Sequence, residues 1–454
     1  MGYVASYLGV VLELTGMLLL VPIIVSGIFG EGIYFPFMVA AIASFAVGSI
    51  LDRHFKRGEL DFGSAMLLAS LSFIIVSAVG AVPYLPYLAP VDALFESVSG
   101  FTTTGLTTVA PEMLPRSVLF WRSLTQWLGG LGILLIFMLM LPSLGIASYF
   151  LYRAEGKERI EAGVYNSMKR ISIIYASYTL LGFALFYLAG MGAFDAVAHG
   201  LTSVSTGGFS TRSGSLGSFG NPWVNAVACL VMILGATSFI VHDRLWSLKF
   251  VSYLKNQEAR LFWAIMLIFT ALLAAIGWGL DQAFFHAASA LTTTGFSLSE
   301  IGPGTGAFLL SLLMLAGGFA GSTAGGMKLI RVFAIGKGIY WFGKKTLLPK
   351  EAVVPFRIGQ SFLRAPAMIR IFIFVIAYML LLGITTVALS MLGYSPLISF
   401  FQAASAQGTV GLSMVPMASL PWAAKLLLMC NMLLGRLEIF PFLALFMALI
   451  GVKR

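Results

Sequence analysis

Ten apolar stretches, each long enough to cross a lipid bilayer, constrain this chain more than anything else in it. They cover about residues 6–29, 33–51, 62–85, 117–141, 171–189, 221–241, 261–280, 308–340, 368–392 and 422–450. One crossing takes about 20 apolar residues. Lipid offers no partner to a backbone N–H or C=O, so each stretch has to be helical. Composition agrees, with 59% of the 454 residues hydrophobic and 10% charged, against about 45–50% and 25% in soluble domains. A soluble globular domain, a disordered chain and a secreted disulfide scaffold are excluded. Cys229 and Cys430 both lie in apolar stretches and suggest neither a disulfide nor a metal site. The first stretch lacks a basic leader and a small-residue cleavage site, so it reads as a retained helix.

The formal net charge is +10, and its distribution gives an orientation. Basic residues cluster in alternate connections: Arg53, Lys56 and Arg57; Arg153, Lys157, Arg159, Lys169 and Arg170; Arg244, Lys249, Lys255 and Arg260; nine from Lys328 to Arg370; then Lys453 and Arg454. The other connections carry only Arg116, Arg122, Arg212 and Lys425. The positive-inside rule puts both termini in the cytoplasm of a multi-pass protein of the cell (inner) membrane. Basic residues scattered between spans argue against a nucleic-acid partner.

The outer connections hold an internal repeat. They read Asp92-ALFESVSGFTTTGL, Asp195-AVAHGLTSVSTGGF, Gln282-AFFHAASALTTTGF and Ile398-SFFQAASAQGTVGL. Each begins with an apolar stretch too short to span and ends in a Thr/Gly turn. Aligned on Gly105, Gly208, Gly295 and Gly411, the position nine residues upstream is polar in all four: Glu96, His199, His286 and Gln402. Units of about 90–115 residues, each span, half-helix, turn and span, follow from this register.

Non-helical backbone survives at membrane depth only where protein buries it or a watery cavity lines it. Four such turns around an axis can present carbonyl oxygens in place of an ion's water. Glycine admits the required left-handed backbone cheaply, and the half-helices aim their partly negative ends at the axis, favouring cations. No basic residue precedes the glycine in any turn. The chain therefore reads as an all-α membrane protein with about ten transmembrane helices. Four helix–pore-loop–helix units surround a central pore, at 61–150, 151–245, 246–350 and 351–454, and 1–60 adds two extra N-terminal helices.

Three further segments carry a resemblance: Trp121-RSLTQWLGGLG, Gly317-GFAGSTAGGMKLIR and Gly435-RLEIFPFLALF. With the four turns they make the chain resemble the Trk/Ktr/HKT potassium-transporter superfamily over about residues 60–450, closest to the Trk-type membrane subunit. The two extra N-terminal spans fit that branch. Pro441 departs from it, where a small polar residue is expected. The resemblance implies a potassium filter at Thr103, Thr104, Gly105, Thr206, Gly207, Gly208, Thr293, Thr294, Gly295, Thr409, Val410 and Gly411. Potassium is the implied cargo, with no organic cofactor. The implied gate is an intramembrane loop at Gly317, Gly318, Gly321, Ser322, Thr323, Gly325, Gly326 and Lys328, with Arg436 projecting into the pore below the filter. The implied partners are membrane lipid, a second copy of the chain, and a soluble nucleotide-binding regulatory subunit under the dimer.

The residues themselves leave some alternatives open. Five glycines in ten residues predict a broken eighth span, at about 1 kcal/mol per glycine relative to alanine, although close helix packing also uses small residues. Lys328 reads equally as part of a gate and as a positive-inside anchor. Arg436 and Glu438 are two apart on a helix and do not face each other, so each needs another partner. A structural salt bridge is the plainer reading of Arg436. Glu96, His199, His286 and Gln402 lack metal-ligand spacing and are expected to tie the half-helices to neighbouring spans. Glu13 has no role in this reading. The alternative function is a sodium- or proton-coupled secondary transporter, which wants intramembrane carboxylates. Glu13 and Glu438 are its few candidates. Convergent catalytic groups are missing from the sequence, so an enzyme is not expected.

Overall fold

The computed structural model describes residues 2–58, 60–144, 164–246, 250–349, 354–358, 361–363 and 365–450. Arg153, Lys157, Arg159, Lys249, Lys350, Arg364, Lys453 and Arg454, part of the expected basic face, lie outside them.

Helices α1 (Gly2–Leu18) and α2 (Val21–Ile28) fill the first expected stretch and α3 (Phe35–His54) the second. Glycines let α1 and α3 approach closely. A Cβ on Gly48 would lie 2.7 Å from the Gly9 carbonyl and 2.9 Å from the Glu13 nitrogen. Ser49 donates to the Glu13 carboxylate at 2.7 Å, so Glu13, unexplained by sequence, fastens this pair. Glu31 then accepts from the Arg116 and Ser117 amides at 2.6 and 3.0 Å, joining the N-terminal hairpin to the rest.

Four units follow. The first is α4 (Phe62–Gly80), α5 (Pro90–Phe101) and α6 (Arg116–Leu144). The second is α7 (Val164–Leu188), α8 (Ala193–Val204), α9 (Pro222–Ala236) and α10 (Phe239–Trp246). After the short α11 (Phe250–Lys255), the third is α12 (Gln257–Ala275), α13 (Leu280–Leu291), α14 (Thr305–Ala316) and α15 (Leu329–Thr346). The fourth is α16 (Ala365–Met391), α17 (Pro396–Gln407), α18 (Trp422–Arg436) and α19 (Phe440–Leu449). A hairpin of two-residue strands, Arg357–Ile358 against Ser361–Phe362, lies between α15 and α16 and is a small departure from an all-α chain.

Among the described residues, six helices are long and apolar enough to cross a membrane, or eight if each of two bent pairs is one span. The bends have local causes. The eighth stretch is interrupted between α14 and α15, as its glycines predict. The last stretch turns by 111° between α18 and α19. There Glu438 and Ile439 both take positive φ, and Pro441, with no N–H to give, begins the new helix. The sixth stretch, expected to be continuous, turns by 106° between α9 and α10. Its Gly235 and Ala236 carbonyls accept instead from Thr323 and Phe319 of the interrupted span, at 3.3 and 3.1 Å.

Units two to four share one apolar core, including Phe262, Phe285, Phe296, Met314 and Phe401. Phe37, Tyr84, Phe101 and Trp121 knit the N-terminal helices to unit one. Outward-facing side chains such as Ile28, Leu188 and Met391 are apolar and exposed, as a lipid-facing belt has to be.

Candidate functional site

The half-helices α5, α8, α13 and α17 each have 12 residues. At 1.5 Å per residue that is about 18 Å, too short for a crossing. All four end in the same way. Thr103 donates its amide to Gly100 O and Thr104 to Ser99 O, each at 2.9 Å. Thr206 and Gly207, Thr293 and Thr294, and Thr409 and Val410 repeat the pattern at 2.8–3.2 Å. This is a Schellman helix ending, whose left-handed position normally holds glycine. Here it holds threonine four times, with φ of 53, 51, 54 and 51°. A β-branched residue there costs about 1–2 kcal/mol. Two residues later Gly105, Gly208, Gly295 and Gly411 take φ of 88, 76, 85 and 96°.

These glycines close a ring. A Cβ on Gly105 would strike the Gly207 carbonyl oxygen, one on Gly208 that of Thr294, one on Gly295 that of Val410, and one on Gly411 that of Thr104. Each unit thus leans on the next and the fourth on the first, so no side chain fits at any of the four positions. The ring floors a cavity of about 920 Å³, also lined by Arg122, Arg212 and Glu300. At its rim Glu112 of unit one accepts from the amide and hydroxyl of Ser213 in unit two, at 2.6 and 2.5 Å. Burial pushes the Glu112 carboxyl up, but these bonds outweigh it and hold it below the usual carboxylate range.

The four polar upstream residues behave alike, but not as expected. Each ties its half-helix chiefly to the segment leaving the same turn. Glu96 accepts from Thr107 Oγ1 at 2.7 Å and Thr108 N at 2.5 Å. His199 meets Ser210 Oγ at 3.1 Å, His286 accepts from Leu298 N at 3.4 Å, and Gln402 meets Ser413 Oγ at 2.8 Å. Among the described residues no His/Cys/Asp/Glu group could hold a metal ion. Among the described residues only Glu96 makes a polar bond to a neighbouring span, a buried ion pair with Arg122 at 3.1 Å, while His199 packs its ring against Phe186 of the preceding one.

The segment between α14 and α15 lies against the inner side of the ring. Thr323 Oγ1 donates to Gly235 O at 2.8 Å, and Thr206 Oγ1 reaches Thr323 Oγ1 at 3.3 Å. Gly325 N donates to Thr293 Oγ1 at 2.6 Å, and Gly326 N to Gly408 O at 3.1 Å. Three of the four units therefore hold this segment directly. Arg436 adds the first, donating to Thr323 O at 2.7 Å and Gly129 O at 3.1 Å. It makes no salt bridge among the described residues. Glu438 pairs instead with Arg331, at the start of α15. Lys328 is buried and donates to Ala324 O within the segment, so it is no exposed anchor. All twelve turn residues are thus brought into one ring, and the expected loop residues and Arg436 into one body beneath it. Sequence reasoning missed Gln126, which contacts turn two, although its Thr-Gln-Trp motif was in view.

A closed ring of half-helix ends in a lipid-exposed helical bundle defines an ion-transport protein of the membrane. The chain belongs to the TrkH family of cation transport proteins, whose model matches residues 34–280 and 277–451. It is a transporter, not an enzyme. An uncharacterised cation transporter of Methanocaldococcus jannaschii is 34% identical, with 97% of this chain and 94% of the relative covered. The Trk system potassium uptake protein TrkH of Salmonella typhimurium is 31% identical over 98% of both chains. The crystal structure of the potassium transporter TrkH from Vibrio parahaemolyticus superposes with a TM-score of 0.89 at 29% identity, over 98% of both chains.

Proposed function

We propose that this chain takes up potassium across the cell membrane through the ring of four turns, with the Gly317–Lys328 segment as its gate. The observation that carries the reading is the closure of the ring. Four glycines each abut a carbonyl oxygen of the next unit, so a dehydrated cation meets oxygens and no side-chain charge. The potassium-uptake names of the relatives support the choice of ion. The gate reading is supported by the bonds from the segment to Thr206, Thr293 and Gly408 just inside the ring. Arg436 bonds across it and so holds it closed. Coupled transport has less support: Glu13 is bound to Ser49 and Glu438 to Arg331, so neither carboxylate stands at the ring.

Both termini are taken as cytoplasmic, and units 61–150, 151–245, 246–350 and 351–454 as the four quarters of one pore. A dimer would then carry two pores, and a nucleotide-binding subunit would dock on its basic cytoplasmic face. Light scattering of the purified chain, and co-purification of a subunit whose nucleotide changes flux, test these partners. Gly105→Ser tests the filter itself. A side chain at φ 88° against the Gly207 carbonyl has to deform the ring, so sodium permeability relative to potassium rises in reconstituted vesicles. An unchanged ratio refutes the reading.

A further inference from the structure

Turn two differs from the others at one position. Thr104, Thr294 and Val410 carry branched side chains where turn two has Gly207. The space is filled from outside the turn. A Cβ on Gly207 would collide with the Gln126 amide and lie 2.9 Å from the Gln126 Cβ. Gln126 belongs to α6 in unit one and is fully buried. Its Nε2 donates to Gly207 O at 2.6 Å and its Oε1 accepts from Phe209 N at 3.0 Å. Because a carbonyl only accepts and an amide N–H only donates, the two bonds fix the orientation of the side-chain amide.

Gly207 O is also one of the four ring oxygens, the one against Gly105. Among the described residues, no donor meets the equivalent oxygens of Thr104, Thr294 and Val410. One oxygen in four is therefore shared with a protein N–H. It lies in the turn with two adjacent glycines, whose backbone has the most freedom.

We propose that Gln126 is a positioning residue that sets ion discrimination, by pinning the most pliable quarter of the ring at the width of the larger cation. The inference rests on the ring being the potassium path. A ring that can contract coordinates sodium as well as potassium, whereas one with its weakest quarter fixed cannot follow the smaller ion inward. Both accounts of filter selectivity, cavity size and oxygen field strength, depend on where this oxygen is held.

The test is a bi-ionic measurement of the potassium-to-sodium permeability ratio on the reconstituted full chain. Gln126→Met keeps the volume and removes both bonds. Its ratio should fall about fivefold or more, the worth of one or two hydrogen bonds. Gln126→Gly combined with Gly207→Thr removes the Cβ that would crowd residue 207 and gives turn two the side chain of turns one and three in the vacated space, and the ratio should recover. Should Gln126→Met not accumulate, Gln126→Leu likewise removes both bonds without introducing a charge, and its ratio must fall too. A wild-type chain that prefers potassium, with folded variants of unchanged ratio and uniformly reduced flux, overturns the inference and leaves the filter reading intact. A wild-type chain without preference overturns both.

Discussion

The pair Glu96–Arg122 offers the sharpest measurement on the scaffold of the ring. Both side chains are at most 1% exposed. Glu96 Oε1 also receives Thr107 and Thr108, while Arg122 donates to Thr107 Oγ1 at 2.9 Å and lies 4.0 Å over the Phe209 ring. The pair thus joins turn one to the segment leaving turn two. Removing one partner of a buried pair costs about 3–5 kcal/mol, because the other charge is left uncompensated. Glu96→Gln should cost that much: its amide can still accept from Thr108 but turns its N–H groups toward the guanidinium. Arg122→Met should fall near the lower end, since the Thr107 and Thr108 donors continue to satisfy Glu96. The double variant has no stranded charge and should lose less than the two singles together, with a coupling of about 3 kcal/mol. Unfolding in mixed detergent micles of graded denaturing strength reads all four stabilities. Additivity of the singles to within about 0.5 kcal/mol would show that the charges are not coupled and would refute the reasoning.

The proposed gate yields three further expectations. Deleting Gly321 to Gly325 should raise flux per folded molecule, and Arg436→Ala should raise closed-state leak. A loop that only packs would instead lower stability with no gain in either readout. Thr293→Val keeps the shape but strands the Gly325 amide, at about 1–3 kcal/mol. Vesicle flux in the resting state should then rise about fivefold or more if that bond holds the segment shut; a resting flux equal to wild type counts against it.

Much of this architecture was legible in the sequence. The four Thr/Gly turns could be aligned because the same helix ending recurs in each, and the glycines from Gly317 to Gly326 announced an interrupted helix. The sixth stretch gave no such signal. Its turn after Ala236 is preceded by one glycine, Gly235, against five in the eighth stretch, and exists because Thr323 and Phe319, more than 80 residues away in sequence, claim its carbonyls. The left-handed threonines were equally hidden, since residue preference argues against them. In the assembled ring two of those hydroxyls find partners, Thr293 receiving Gly325 and Thr206 meeting Thr323, while those of Thr103 and Thr409 make no hydrogen bond among the described residues. Gln126 escaped notice because its significance depends on a missing side chain at Gly207, in another unit.

The leaning of each glycine on the next unit's carbonyl, from Gly105 round to Gly411 and back to Thr104, has a genetic consequence. In a pore assembled from four identical subunits, a codon change alters every quadrant at once. Here each quadrant has its own codons, so a single mutation changes one quadrant and, through the carbonyl its glycine leans on, presses on the next, without altering all four at once. Drift can therefore proceed in quarter steps, with compensation drawn from elsewhere in the same gene. The four quadrants already differ in this way, with glycine at 207 and valine at 410 where the other two have threonine.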